Sequence, residues 1–351
     1  MAGSNPGRKS TIYDIAEKTG SSTSTVSMVL NGNWARYRIK EETANRILEC
    51  ARQLGYNVNM KARGLRLSRS GLAGMVLPHY RNRFFAGLAQ TFEDQARNRG
   101  LCPIVVGTQR DPAVEVSVTE TLLSQRVELL FIAGVRNPTP LNDLCSAANV
   151  PSINLDLPGD GAPSVVTDHR KGAAEITGVL IEKLLARGHS TGEMVLLGGV
   201  ANEYATEMRI AGFRDAFKAR GLTPANDAIE CSGYSAAAAN RALTIRCQRL
   251  GRPPFGLLMN SITALEGLVQ FMATLPHDAW KTVVVGCFDW DPFAAYLPFD
   301  VTLLRQDVDK IISEAFAIVE KRDSADRSLI LVPTGLGKMF EEAEQTKEFD
   351  R

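Results

Sequence analysis

Thr11-Ile12-Tyr13-Asp14-Ile15-Ala16-Glu17-Lys18-Thr19-Gly20-Ser21-Ser22-Thr23-Ser24-Thr25-Val26-Ser27-Met28-Val29-Leu30-Asn31-Gly32 is the stretch on which the reading of this chain turns. It reads as two short helices joined by a tight turn. Thr11 and Asp14 have the spacing of a helix start signal. Ile12, Ile15 and Ala16 form one apolar face. Gly20 falls where the turn requires positive φ, a region glycine enters without steric cost. Ser22 is placed to cap the second helix, and Val26, Val29 and Leu30 give that helix a buried stripe. The spacing is that of a helix-turn-helix, which would turn Thr23, Ser24, Ser27 and Met28 toward a DNA major groove. A plain two-helix corner fits these positions equally well, so the flanking segments decide.

Residues 1–9 read as an unstructured arm. After the two helices, Asn33-Trp34-Ala35-Arg36-Tyr37-Arg38-Ile39 is a basic, aromatic loop. In it Arg36 and Arg38 can meet phosphates, and Tyr37 can pack or hydrogen-bond; Trp34 and Tyr37 can equally plug the core. Glu41 to Leu54 predicts a third helix with Ile47, Leu48, Ala51 and Leu54 on one face. Three such helices make a domain of about the minimum self-supporting size. The following segment, residues 55–70, is basic, with small Ala62 and Gly64 and an isolated Leu65. A short helix of this kind can pair with its twin in a dimer and press an apolar wedge into a minor groove. An ordinary linker is the other reading.

At 351 residues the chain is long enough for two or three compact units. Its 44% apolar and 23% charged residues can build a large core. No apolar run approaches the ~20 residues of a transmembrane helix. The polar Met1–Ser10 start lacks a hydrophobic signal region, so the expectation is a cytoplasmic protein with no membrane partner. The six cysteines are scattered without metal-ligand spacing and are expected to be reduced packing thiols. The near-neutral total hides an asymmetry. Residues 1–70 carry 12 Lys and Arg against 5 Asp and Glu, whereas the other 281 residues carry 28 against 34. A basic head on an acidic body points to a polyanionic partner for the head.

Tyr13-Asp14-Ile15-Ala16, Gly20, Thr25-Val26-Ser27 and Leu30-Asn31-Gly32, followed by Thr43, Gly55-Tyr56, Asn59, Ala62 and Gly64-Leu65, resemble the head and hinge of LacI/GalR-family transcription regulators. Ala35-Arg36-Tyr37-Arg38-Ile39 and Gly64-Leu65-Arg66 are similar to the fructose-repressor and sucrose-repressor branch. The resemblance implies a DNA-binding set of Thr11, Tyr13, Ser22, Thr23, Ser24, Ser27, Met28, Asn31, Arg36, Tyr37, Arg38, Asn59, Ala62 and Leu65. Leu65 would be the minor-groove leucine. Met28 stands where the family often has Arg, so a bidentate guanine contact is missing and a thymine methyl becomes the candidate partner. Val58 replaces the usual Pro before the hinge helix, and Lys40 a frequent capping Ser. The implied partners are double-stranded operator DNA, pseudo-palindromic, and a second copy of the chain. A dimer is expected over a tetramer because no C-terminal heptad run is visible.

Beyond residue 70, apolar runs alternate with amphipathic helical stretches. Strands are predicted at Ala73–Pro78, Pro103–Gly107, Leu129–Ala133, Ser152–Leu155, Ser164–Thr167, Glu193–Leu197, Gly256–Met259, Thr282–Gly286 and Thr302–Arg305. Helices between them include Phe84–Arg99, Val114–Ser124, Lys171–Arg187, Glu207–Ala219 and Ile262–Leu275. The alternation implies parallel sheets covered on both faces, and the resemblance implies two lobes of the periplasmic-binding-protein-like type. The fold class expected is therefore α/β: an all-α helix-turn-helix head and hinge helix, then two doubly wound α/β lobes. The domain limits are 1–58 for the head, 59–70 for the hinge and linker, and 71–351 for the effector-binding and dimerisation domain. Lobe one takes about 71–169 plus 308–330, and lobe two about 170–305 plus 331–351. Crossings fall near Asp168–Lys171, Gln306–Val308 and Ile330–Pro333.

Ligands of such sheets sit beyond the carboxyl ends of strands. The candidates there are His79, Arg83, Phe84 and Phe85 after the first strand, and Asp156, Asn260 and Asp289 after later ones. Arg209 stands on a helix of the second lobe. Asp156, Arg209, Asn260 and Asp289 match family ligand positions. Carboxylates with Asn and Arg suit the alternating donors and acceptors of a sugar. Arg81, Arg83 and Arg110 add positive charge and make a phosphorylated or acidic sugar the leading effector, with a neutral sugar the alternative. A transport-type sugar-binding protein with the same body lacks a reason for the basic head. No nucleophile elbow, phosphate loop or metal cluster is present; Thr334-Gly335-Leu336-Gly337-Lys338-Met339 only superficially resembles a phosphate loop. No enzyme activity, catalytic residue, cofactor or metal is expected.

Overall fold

The computed structural model describes residues 10–56, 70–321 and 327–337. They fall into two compact units on either side of the Ser70–Gly71 junction. The arm, the hinge-helix prediction with Asn59, Ala62 and Leu65, and Val58 lie outside the described residues.

The first unit holds three helices: α1 (Ile12–Thr19), α2 (Thr23–Leu30) and α3 (Glu41–Gln53). The Asp14 carboxylate accepts from the Thr11 backbone N–H at 2.6 Å and from the Thr11 hydroxyl at 2.7 Å, fixing the start of α1. Gly20 ends it with φ of 62°. Ser22 Oγ accepts from the Thr25 N–H at 3.0 Å and caps α2. Ile15, Ala16, Val26, Val29, Ala44, Ile47 and Ala51 form the core, with Trp34, Ile39 and Tyr56 packed against it. Trp34 is thus a core plug, whereas Tyr37 is 53% exposed. The α3 face differs from the sequence reading. Ala44, Ile47 and Ala51, at i, i+3 and i+7, are buried, while Leu48, at i+4 on the edge of that stripe, is 36% exposed.

The second unit runs β1 (Leu72–Leu77), α4 (Arg83–Asn98), β2 (Cys102–Gly107), α5 (Pro112–Ser124), β3 (Leu130–Ala133), α6 (Thr139–Ala147), β4 (Ser152–Leu155), β5 (Ser164–Thr167), α7 (His169–Ala186), β6 (Met194–Leu197), α8 (Tyr204–Lys218), β7 (Ile229–Glu230), α9 (Ala236–Leu250), β8 (Gly256–Met259), α10 (Ile262–Met272), β9 (Val284–Phe288), β10 (Val301–Gln306), α11 (Val308–Lys321), β11 (Leu329–Val332) and β12 (Thr334–Gly337). One six-stranded sheet has the order β11-β5-β4-β3-β1-β2 and the other β12-β10-β9-β8-β6-β7. All pairings are parallel except β10 with β12. Each sheet is covered on both faces. In the first lobe Phe92 of α4, Phe131 of β3 and Phe316 of α11 meet with ring centroids 4.9–5.9 Å apart. Leu122 and Leu141 cover the other face. In the second lobe α7 and α8 pack on one face and α9 and α10 on the other.

The chain passes between lobes three times: from β5 into α7, from β10 into α11, and from β11 through Pro333 into β12. Strand β9 runs to Phe288, two residues past the predicted end, because Gly286 is a packing glycine within the strand. A Cβ there would come within 2.7 Å of Leu180. Helices α7 and α8 begin before their predicted starts. Asp168 Oδ1 accepts from the Lys171 N–H at 3.1 Å and starts α7 at His169. Two cysteines depart from the packing role: Cys102, opening edge strand β2, and Cys231 are exposed. No helix among the described residues is long and apolar enough to cross a membrane.

Candidate DNA-binding surface and effector cleft

In the head, burial of Val26 and Val29 turns the other side of α2 outward. Ser24 is exposed, and Thr23, Ser27 and Met28 are half-buried. Tyr13 on α1 is 71% exposed, and Arg36 and Arg38 stand out from the loop. Four of the predicted contact residues also hold the local structure. Thr11 bonds Asp14 at the start of α1, Ser22 is the cap of α2, and Asn31 Nδ2 donates to the Ser27 carbonyl at 2.6 Å and to its hydroxyl at 3.3 Å.

In the second unit a cleft opens between the carboxyl ends of the two sheets. It encloses about 460 Å³ of space, open solvent at its mouth included, and is lined from both lobes. The first lobe contributes His79, Asn82, Phe84, Phe85, Arg110 and Asp156; the second contributes Ala205, Arg209, Tyr234, Ser261, Thr263, Asp289 and Gln306. Six of the eight predicted effector residues therefore converge. Arg83 and Asn260 do not. Arg83 Nε donates to Asp291 Oδ2 at 2.5 Å, a pair joining the two lobes. Asn260 is buried behind the wall, where its backbone carbonyl accepts from Arg209 Nη1. Tyr234, Thr263 and Asn82 escaped sequence reading. Only their position after β7, after β8 and at the α4 cap distinguishes them.

Arg209 is the centre of the cleft's electrostatics. Its guanidinium carbon lies 3.8 Å above the Phe288 ring, and Nη2 stands 3.4 Å from His169 Nδ1. Two carboxylates face it from opposite lobes. Asp156 is pushed up to about 7 by burial, against the pull of Arg110 and Arg209. Asp289 is pushed up to about 6 by burial, opposed by Arg209 and by the Gln306 amide that donates to its Oδ1. Gln306 Oε1 in turn accepts from the Thr167 hydroxyl at 2.7 Å, so the chain crossings themselves hold Asp289 in place. His169 is lowered by burial and by Arg209, so it stays neutral. Both aspartates carry positive φ, 70° at Asp156 and 154° at Asp289. Strain at non-glycine residues of this kind collects at ligand sites. Arg209 Nε, His169 Nε2 and both polar atoms of the Asn260 side chain are buried with no hydrogen-bond partner among the described residues. A helix-turn-helix head joined to a two-lobed binding domain with a polar cleft defines a ligand-responsive DNA-binding protein.

Residues 11–59 match the description "Bacterial regulatory proteins, lacI family", and residues 73–251 match "Periplasmic binding protein domain". The chain is 39% identical over 213 residues to the ribitol operon repressor of Klebsiella aerogenes, covering 59% of this chain and 79% of that one. It is 31% identical over 302 residues to the sucrose operon repressor of Klebsiella pneumoniae, covering 86% and 88%. The fold is shared with the lac repressor dimer bound to operator and the anti-inducer ONPF (TM-score 0.75, 22% identity, 94% and 98% covered). It is shared also with the Cra transcriptional dual regulator of Pseudomonas putida in complex with fructose 1-phosphate (TM-score 0.66, 22% identity, 77% and 99% covered). The chain belongs to the lacI family of bacterial regulatory proteins. It is a DNA-binding regulator with an effector-binding domain.

Proposed function

We propose that the chain represses transcription as a dimer on a pseudo-palindromic operator, and that a neutral polyhydroxylated metabolite of the sugar or polyol class sets its affinity for DNA. Thr23, Ser24, Ser27 and Met28 of α2 read the major groove, and Tyr13, Arg36, Tyr37 and Arg38 hold phosphates. The observation that carries the effector assignment is the pairing of charge at and beside the cleft. Arg83 is occupied by Asp291 and Arg110 by Glu203 at 2.8 Å, so two of the arginines that favour an anion are already neutralised. What faces the ligand is Asp156 and Asp289 around one guanidinium, with Tyr234, Ser261 and Gln306 beside them. In their ionised form, which Asp156 reaches only above about pH 7, these carboxylates accept hydrogen bonds from hydroxyls and repel anions. The 39% identity to a ribitol operon repressor supports a polyol in particular. Exposed Arg81 is the remaining argument for a phosphorylated sugar.

Two measurements test this reading. Thermal melting with ribitol, other pentitols, free sugars and their phosphates should show stabilisation by a neutral polyol, through mass action on the folded state. Retention of a promoter fragment should fall steeply with salt, as phosphate-based binding requires, and should vanish on removal of residues 1–70. A truncated protein that still retards the fragment would end the DNA-binding assignment.

A further inference from the structure

Glu203 precedes α8 in the second lobe and is buried, yet it is not part of the cleft wall. Its Oε2 accepts from Arg110 Nη1 at 2.8 Å and from Arg136 Nε at 3.2 Å. Both arginines come from the other lobe, in the loops after β2 and β3. Arg110 does line the cleft, with its guanidinium 5.3 Å from the Tyr234 ring centroid. One carboxylate of the chain therefore sits where two guanidinium groups converge at the edge of the ligand space. A phosphate or carboxylate seeks that same geometry, because guanidinium groups bind oxyanions in charge-assisted, bidentate pairs. The neighbouring acid Glu115 on α5 also faces both arginines, but it hydrogen-bonds Thr108 within its own lobe. Asp111 caps α5 by accepting from the Ala113 N–H at 2.9 Å. Glu203 alone among these acids reaches the arginines from across the cleft.

We propose that Glu203 is a specificity-determining residue, a built-in counter-ion that occupies Arg110 and Arg136 and thereby keeps phosphorylated and carboxylated effectors out of the cleft. The inference rests on the neutral-polyol reading above and adds the residue that enforces it. An incoming phosphate must displace a carboxylate already held on both arginines, and it then leaves that carboxylate buried beside it. A neutral polyol leaves the pairs intact.

The test compares wild type, Glu203→Gln and Glu203→Ser by titration calorimetry with ribitol, ribitol 5-phosphate and inorganic phosphate. In both variants the affinity ratio of ribitol 5-phosphate to ribitol should rise by ~10-fold or more, and the gain should shrink at high salt. Glu115→Gln should leave the ratio where it is. Adding Arg110→Ala to Glu203→Gln should abolish the gain. The serine variant covers failure of the glutamine variant to fold, which loss of cooperative melting would reveal. A ratio that stays flat in a folded Glu203 variant overturns the proposal, as does a wild type that binds the ester as tightly as the polyol. If wild type binds no neutral polyol, the effector assignment fails. The response of the variants to ribitol 5-phosphate and inorganic phosphate still decides the role of Glu203.

Discussion

Replacing Asp156 by asparagine should make the ligand-free protein more stable at neutral pH while weakening its grip on the effector. Asp156 is fully buried, and its carboxyl is displaced from 3.8 to about 7. Between those two values the folded chain holds a proton that the unfolded chain has released. Stability therefore falls as pH rises through that window, and the cost of ionisation is complete above about pH 7. At 1.36 kcal/mol per decade, the displacement corresponds to on the order of 4 kcal/mol. Asparagine is isosteric and carries no charge, so it removes this cost. It also brings an amide that must find partners beside Arg209, which leaves a net gain of roughly 1–3 kcal/mol at pH 8. Urea denaturation at pH 5, 6, 7 and 8.5 reads the difference between variant and wild type, which should grow in the variant's favour as pH rises. Effector hydroxyls donating to Asp156 stabilise its ionised form, so binding to wild type should release a proton and tighten from pH 5.5 to 7.5. The amide of the Asp156→Asn variant is a weaker acceptor, and loss of a charge-assisted hydrogen bond costs ~1.5–3 kcal/mol, about a 10- to 150-fold loss of affinity. A stability difference that is independent of pH, or one that favours wild type at high pH, would refute the assignment of Asp156 as the buried, strained carboxylate of the cleft.

Two further outcomes follow from single contacts. Gly212→Ala should cost about 3 kcal/mol or more in urea denaturation, since its Cβ would lie 2.1 Å from the Arg170 carbonyl where α8 crosses α7, and backbone cannot yield as a side chain does. Ser22→Ala should cost roughly 1 kcal/mol of head stability through the lost cap on the Thr25 N–H, and fluorescence-anisotropy titration should show weaker operator binding with an unchanged salt slope.

The parts of this molecule that were readable along the chain are those set by local rules. Ser152–Leu155, Ser164–Thr167 and Gly256–Met259 are four-residue segments, each built around aliphatic residues, and each is a fully buried strand with those bounds. Strand β7 escaped notice because it has two half-buried residues at a sheet edge. Strand β12 was hidden by its own composition. Thr334-Gly335-Leu336-Gly337 looks like a glycine-rich loop, yet it pairs antiparallel with β10 and its Thr334 side chain packs against Gly172 of α7. In the cleft, Asp156 and Asp289 were legible because residues ending parallel strands face the ligand crevice. The effector's charge was not. Counting Arg81, Arg83 and Arg110 along the sequence gives a basic rim, but the partners that neutralise Arg83 and Arg110 lie 208 and 93 residues away, on the opposite lobe. No local pattern records such pairing, because it exists only once two independently wound sheets face each other. Motifs at strand ends therefore locate a binding cleft in this fold. The charge of the ligand it accepts is set by which arginines the other lobe has already claimed.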